Sequence, residues 1–314
     1  MAIIKNLQTE EIVVLFSEHN FGRGKHNRTI IPGNDISKSH AVVSFVNNDW
    51  YLADQSSNGT LVKGKRINHL STKLAAGNQI QFGQEQDTIW LVLNVNPPIC
   101  FLESLSENKE IIELSTYSAY PNEEAPEVSF YRTADTRWHA DNGLQTIALM
   151  HGQSHFFADK EWYFYENEVL DQTLCIPDIS VETCFLFSLS VDEEEVAIKI
   201  KINNLELDLG QHTYNQVLLA LARKRQADLE EGCQETELGW ISMEKLTFLL
   251  GKELLKEIDN YYVNLQIHRL RKRLMELNPF GHLLSNVIER RNGELRFEHN
   301  NFRINKENAI GSFN

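Results

Sequence analysis

Trp50-Tyr51-Leu52-Ala53-Asp54-Gln55-Ser56-Ser57-Asn58-Gly59-Thr60-Leu61-Val62 decides the fold of the N-terminal third. Two short runs rich in aromatic and β-branched residues, Trp50 to Ala53 and Gly59 to Val62, read as strands. Ser56-Ser57-Asn58-Gly59 between them has the composition of a turn. The same grammar extends outward. Glu11 to Phe16, His40 to Val46, Gln79 to Phe82 and Thr88 to Val95 are further strands, with Asn47-Asn48-Asp49 and Lys63-Gly64-Lys65 as turns. Closely spaced strands with no helical pattern between them predict an all-β sandwich, ended by Asn96-Pro97-Pro98.

The chain has 314 residues, enough for two domains or three small ones. No apolar run approaches the ~20 residues of a membrane span, and Met1 to Lys5 lacks the apolar core of a secretory signal. Cys100, Cys175, Cys184 and Cys233 form no C-x-x-C pair, which argues against a disulfide framework or structural zinc. A reducing cytoplasm is the expected location. The net charge of -14 is unevenly spread. Residues 1–97 carry 9 basic and 8 acidic side chains, 98–192 carry 4 and 17, and 193–314 carry 17 and 19. The acid therefore sits in the middle, and both ends remain open to anionic partners.

The loops at one end of the sandwich hold the first candidate site. Gly22-Arg23 supplies a guanidinium whose planar fork matches phosphate oxygens, and Ser37, Lys38, Ser57 and Asn58 supply further donors. A hydrogen bond to a charged group contributes about 1.5–3 kcal/mol, so three support micromolar peptide binding after ordering costs. The ordered set G-R, S-x-x-H at Ser37 to His40, W-x-L-x-D-x-S-S-N-G-T at Trp50 to Thr60 and L-x-x-G-x-x-I-x-F-G at Leu74 to Gly83 resembles the forkhead-associated (FHA) domain, a phosphothreonine-peptide reader, over residues 1–97. The resemblance implies that Arg23 and Ser37 bind phosphate, that Lys38 and Ser57 assist, and that Asn58 contacts the peptide backbone. It also implies that Gly22, His40, Gly59 and Thr60 brace the loops. Asp35, where some members place a base, implies modest affinity, partly offset by Lys25, His26 and Arg28.

Residues 98–182 read as an acidic, β-rich connecting region. Glu127 to Thr133, Leu144 to His155 and Trp162 to Glu166 are expected strands, and Ser115 to Pro126 a solvated loop. His151-x-x-x-His155 has metal-ligand spacing only if helical, and its strand-like flanks favour ordinary histidines, so no metal is expected.

From Cys184 the pattern alternates with period two through Val191 and again from Val196 to Ile202. The period then turns helical. Tyr214, Val217, Leu218, Leu221 and Ala222 mark one helix; Ser242 to Leu250 a second, with Gly251 as its stop; and Val263, Ile267, Leu270, Leu274 and Leu277 a third, ended by Asn278-Pro279. Val287 to Arg291 and Glu294 to Phe297 flank Asn292-Gly293, a type I′ hairpin signal. Val263 to Leu274 and this hairpin resemble the recognition helix and wing of an OmpR/PhoB-type winged helix, an α+β fold over residues 183–314. The resemblance implies that Gln266, His268, Arg269 and Arg271 face bases or nearby phosphates, Lys272 phosphates, and Arg290 or Arg291 the groove edge. A long acidic insertion, Asp228 to Trp240, and a wing ending without the usual Gly-Tyr depart from that pattern.

No G-x-x-x-x-G-K-[ST], G-x-S-x-G or H-E-x-x-H occurs, so no enzymatic activity and no cofactor is expected. The expected protein is a bacterial-type, cytoplasmic transcriptional regulator. It binds a phosphothreonine protein (a Ser/Thr-kinase substrate or the kinase itself) and DNA, and no membrane. The alternative is an adaptor whose winged helix binds protein. The acidic middle, including Glu123-Glu124 and Glu166 to Asp171, is either a solvated surface or a competitor of DNA for the basic helix.

Overall fold

The computed structural model describes residues 1–106, 109–167, 182–277 and 280–306. The Asn278-Pro279 stop, Cys175 and the end of the Glu166–Asp171 stretch lie outside the described residues. Two compact units form: one from residues 1–101 and the segment starting at Tyr165, the other from 102–164 and the C-terminal part.

Among its described residues the first unit contains eleven strands: β1 (Ala2–Asn6), β2 (Ile12–Val14), β3 (Glu18–Gly22), β4 (Thr29–Ile30), β5 (Ala41–Val46), β6 (Asp49–Asp54), β7 (Thr60–Val62), β8 (Lys65–Ile67), β9 (Ser71–Lys73), β10 (Gln79–Gln81) and β11 (Ile89–Val95). They form two sheets, ordered β2-β1-β11-β10-β7-β8 and β4-β3-β5-β6-β9. Alternation explains the packing. In β6, Trp50, Leu52 and Asp54 are buried while Tyr51 and Ala53 are partly exposed. Trp50 and Leu52 join Phe21, Val43, Ile80, Phe82 and Trp90 in one core, where Phe21 stacks on Phe82 at 4.9 Å. Asn47 and Asn48, both at positive φ, make the two-residue turn between β5 and β6.

In the second unit, β12 (Phe101–Ser104), β13 (Ile111–Glu113), β14 (Tyr117–Tyr120), β15 (Val128–Arg132), β16 (Trp138–Asp141), β17 (Thr146–Ala148), β18 (Ser154–Phe157) and β19 (Lys160–Tyr165) form sheets ordered β13-β12-β19-β18 and β14-β15-β16-β17. Two expectations are corrected here. Ser115 to Pro126 contains a strand, β14, because it pairs in register with β15 from Tyr117↔Tyr131 to Tyr120↔Val128. Leu144 to His155 is not one strand but parts of two, broken by a turn at His151-Gly152, and they belong to different sheets. His151 and His155 therefore lack helical spacing. Rings from the two sheets meet, Phe130 against Phe157 at 5.3 Å and Tyr120 against Trp162 at 5.1 Å.

The C-terminal part follows with β20 (Thr183–Leu189), β21 (Val196–Ile202), β22 (Leu205–Gln211), α1 (Thr213–Glu230), β23 (Ile241–Ser242), α2 (Met243–Glu253), α3 (Asn260–Met275), β24 (Ile288–Arg291), β25 (Glu294–Phe297) and β26 (Phe302–Lys306). One sheet is ordered β22-β21-β20-β26 and the other β23-β25-β24. The stripe Val263, Ile267, Leu270, Leu274 and Leu277 is buried with Val217, Leu218, Leu221, Leu246 and Leu295 in a single core. Gly251 does not stop α2, which continues to Glu253 and gives way at Leu255, a residue at positive φ. Ser242 caps α2 by accepting from the Lys245 N–H (3.3 Å), and Asp259 caps α3 by accepting from the Tyr262 N–H (2.7 Å). Among the described residues, no helix is long and apolar enough to cross a membrane.

Candidate functional site

Three loops meet at one end of the first unit: β3–β4, β4–β5 and β6–β7. Backbone bonds zip the first two together, Arg23 N–H to the Ser37 carbonyl (3.0 Å) and Gly24 N–H to the Lys38 carbonyl (3.1 Å). Gly22 permits this approach, since a Cβ there would lie 2.5 Å from the Lys38 oxygen. The Asn27 amide donates to the Gly24 and Lys38 carbonyls at 2.7 and 2.6 Å, a brace that no sequence spacing announced. His40 locks the centre. Its Nδ1 accepts the Ser37 N–H (3.1 Å), its own N–H donates to Phe21, and its carbonyl accepts from Gln55. Burial lowers the His40 pKa against the pull of Asp54 and Asp35, so the ring is neutral, with its proton on Nε2.

The third loop hangs on Asp54. Its carboxylate accepts from the Ser56 and Thr60 hydroxyls, both at 2.7 Å, and from the His69 N–H at 3.0 Å. Burial opposes its ionisation, but these donors hold its pKa below the ordinary value. Gly59, at φ +78°, closes the turn and donates to Ser56. The Ser57 N–H donates to Ser37 Oγ (3.1 Å), which leaves the Ser37 hydroxyl proton available to another acceptor. One amide proton of Asn58 goes to the Asp35 carbonyl (2.9 Å), leaving its oxygen and its second proton.

Arg23, Lys38, Ser57 and Asn58 are exposed and Ser37 half-buried, while Gly22, His40 and Thr60 are buried. Among the described residues Arg23 and Lys38 make no ion pair. Asp35 acts as a frame residue, its carboxylate accepting the Gln84 N–H at 2.7 Å. Arg28 is drawn over the Phe16 ring, 3.9 Å from its centroid, and His26 bonds Ser39 at 2.8 Å. The loops thus present two uncompensated cations beside fixed hydroxyl and amide donors, an arrangement suited to a doubly charged oxyanion.

The second candidate set is arranged differently. Gln266 is buried and accepts from the Thr213 hydroxyl (2.9 Å). His268 is buried against the β14–β17 sheet, its Nδ1 within hydrogen-bond distance of the Tyr117 (2.8 Å) and Ser129 (3.1 Å) hydroxyls. Arg271 pairs with Asp141, donates to the Ile288 carbonyl (2.8 Å) and lies over the Tyr131 ring. Arg290 reaches Asp141 (2.8 Å), the Gly143 carbonyl (2.6 Å) and Asn264 (2.9 Å). Lys272 pairs with Glu123. Arg291 pairs with Glu237 (2.7 Å) and Glu294 (3.1 Å) and sits over Trp240.

The expectation that Gln266, His268, Arg271 and Arg290 face outward is therefore corrected: all four are 9% exposed or less. Their polar groups, Arg271 Nε apart, find their acceptors and donors inside the unit. Of the seven, Arg269 alone is exposed and, among the described residues, unpaired. Burial drops the His268 pKa to about 4, against Glu123 and with Lys272, Arg269 and Arg271 adding to the drop. Burial likewise opposes the charge on Asp141, but Arg290 and Arg271 hold its pKa below the ordinary range. Tyr117, Ser129 and Asp141 are the residues that reading from sequence missed. The buried strand end Trp138-His139-Ala140-Asp141 was the one local signal, a carboxylate closing an apolar run.

A family model described as FHA domain matches residues 19–83. Among solved structures, the chain is similar to Mycobacterium tuberculosis EmbR in complex with a low-affinity phosphopeptide (21% identity, TM-score 0.27), covering 30% of this chain and 24% of that one. It is also similar to the FHA domain of CT664 from Chlamydia trachomatis, with 23% identity, TM-score 0.26 and coverage of 30% and 96%. For the FHA domain of an Arabidopsis thaliana hypothetical protein the figures are 25%, 0.27, 31% and 88%. No curated protein matches the chain.

Proposed function

Because its N-terminal sandwich contains an FHA domain, we propose that the protein is a phosphothreonine-dependent signalling regulator. In this reading Arg23, Lys38 and the Ser37 hydroxyl hold the phosphate, Ser57 assists, and Asn58 positions the peptide backbone. The observation that carries it is the pair of cations, Arg23 and Lys38, unpaired among the described residues, above a loop frame locked by His40, Asn27 and Asp54. The ligand is a phosphothreonine protein, either a Ser/Thr-kinase substrate or the kinase, and the site performs recognition without catalysis or cofactor. Calorimetry with matched phosphothreonine and unmodified peptides tests it. Equal affinity for both, or Arg23→Ala binding the phosphopeptide as well as wild type does, would sink the assignment.

The C-terminal part supports DNA as a second ligand through its order of elements: a leading sheet, three helices and a closing hairpin, as in OmpR/PhoB-type winged helices. That makes the whole a cytoplasmic transcriptional regulator. The adaptor reading has its own support, because the α3 face that would enter a groove is buried against protein. Binding to mixed-sequence duplex at stated salt separates the two.

A further inference from the structure

We propose that the β14–β17 sheet is a resident competitor for the α3 face, occupying with its own acceptors the cations that would otherwise take a DNA strand. The inference rests on the DNA-binding reading above and adds how that site is regulated.

Helix α3 is three-sided. Val263, Ile267, Leu270 and Leu274 enter the core of their own helical layer. Asn264, His268, Arg271 and Lys272 meet residues 117–143, and Arg269 and Arg273 face solvent. The apolar stripe is thus spent before the sheet is reached, and the seam with the sheet is made mostly of charges and hydrogen bonds. Asp141 accepts from two arginines, one on α3 and one on β24, and the remaining donors of Arg290 go to Gly143 and Asn264. Glu123 takes Lys272. Carboxylate against paired guanidinium is the contact a phosphate oxygen would make at the same donors.

Such a seam is suited to exchange. The desolvation of a buried ion cluster largely cancels its attraction, so its net hold is small while each ion needs a partner. Packing is incomplete as well. A cavity of about 20 Å³ lies among Ser129, Asp141, His268, Arg271 and Arg290, room for a single water, and Arg271 Nε has no hydrogen-bond partner. The surrounding segment, 4 basic against 9 acidic side chains over residues 109–164, repels DNA while it stays docked.

The test uses the full chain, a mixed-sequence duplex followed by fluorescence anisotropy at fixed salt, and NMR titration of the His268 ring to report release. Asp141→Asn and, separately, Glu123→Lys with Tyr117→Phe weaken the seam from the sheet side. Release returns the His268 titration toward about 6.5. The competitor predicts that the released chains bind DNA about tenfold tighter than wild type, and that adding Arg269→Ala removes the gain. Wild type binding DNA as tightly as a released variant overturns the competitor and leaves the DNA reading standing. Released variants that bind no DNA overturn both. Should Asp141→Asn lose its folded signal by circular dichroism, the Glu123→Lys, Tyr117→Phe pair decides.

Discussion

Arg23 and His19 show how differently two residues four positions apart are used. Among the described residues Arg23 makes no side-chain bond, so Arg23→Ala leaves thermal stability nearly unchanged. It cuts phosphopeptide affinity by about 10- to 100-fold, the range expected for a charged hydrogen bond of about 1.5–3 kcal/mol, read by calorimetry. His19 has the opposite role. Its Nδ1 accepts the Phe16 N–H (3.4 Å), so its Nε2 proton goes to Thr29 (2.8 Å). Burial, with Arg28 adding to the effect, drops its pKa to about 3. A lowered histidine pKa means the unfolded chain binds the extra proton first. The stability that the neutral ring contributes is complete above about pH 6.5 and falls by roughly 1.4 kcal/mol per unit as pH drops toward 3. Urea unfolding of wild type at pH 7 and pH 5, compared with His19→Gln, checks this. Equal pH slopes in both chains would refute it.

Elements were legible where their pattern was strong. The β5–β6 hairpin, the α3 stripe and the Asn292-Gly293 hairpin follow from alternation, 3.6-residue spacing and turn chemistry, each a local signal. β3 and β9 were not legible, because three- to five-residue strands such as Ser71-Thr72-Lys73 become strands only by pairing. β14 failed for the same reason: only Val128 to Tyr131 across from it distinguish Tyr117 to Tyr120 from a loop. Helix ends offer a direct test. Asp259 supplies the N-cap of α3, so Asp259→Ala lowers the stability of the second unit by about 1 kcal/mol in chemical denaturation, whereas Asp259→Asn stays near wild type. In the first unit, Gly22→Ala cannot keep the 2.5 Å approach to the Lys38 carbonyl, and it abolishes phosphopeptide binding while Arg23 remains in place.

For the molecule as a whole, the partition of charge matters more than its sum. Asp141 is buried between two arginines, so Asp141→Ala strands two cations and costs the second unit about 3–5 kcal/mol in denaturant unfolding. Glu123→Ala removes an exposed pair and costs under about 1 kcal/mol. By itself the sequence determined the N-terminal sandwich, the loop residues proposed to hold phosphate, and the three helices. Those features are written in neighbouring residues, through periodicity, turn composition and short motifs. Only the tertiary structure decided which basic residues of α3 are free. Gln266, His268, Arg271 and Arg290 meet partners 17 to 151 positions away, and no local rule distinguishes a solvated basic face from one matched by distant carboxylates and hydroxyls.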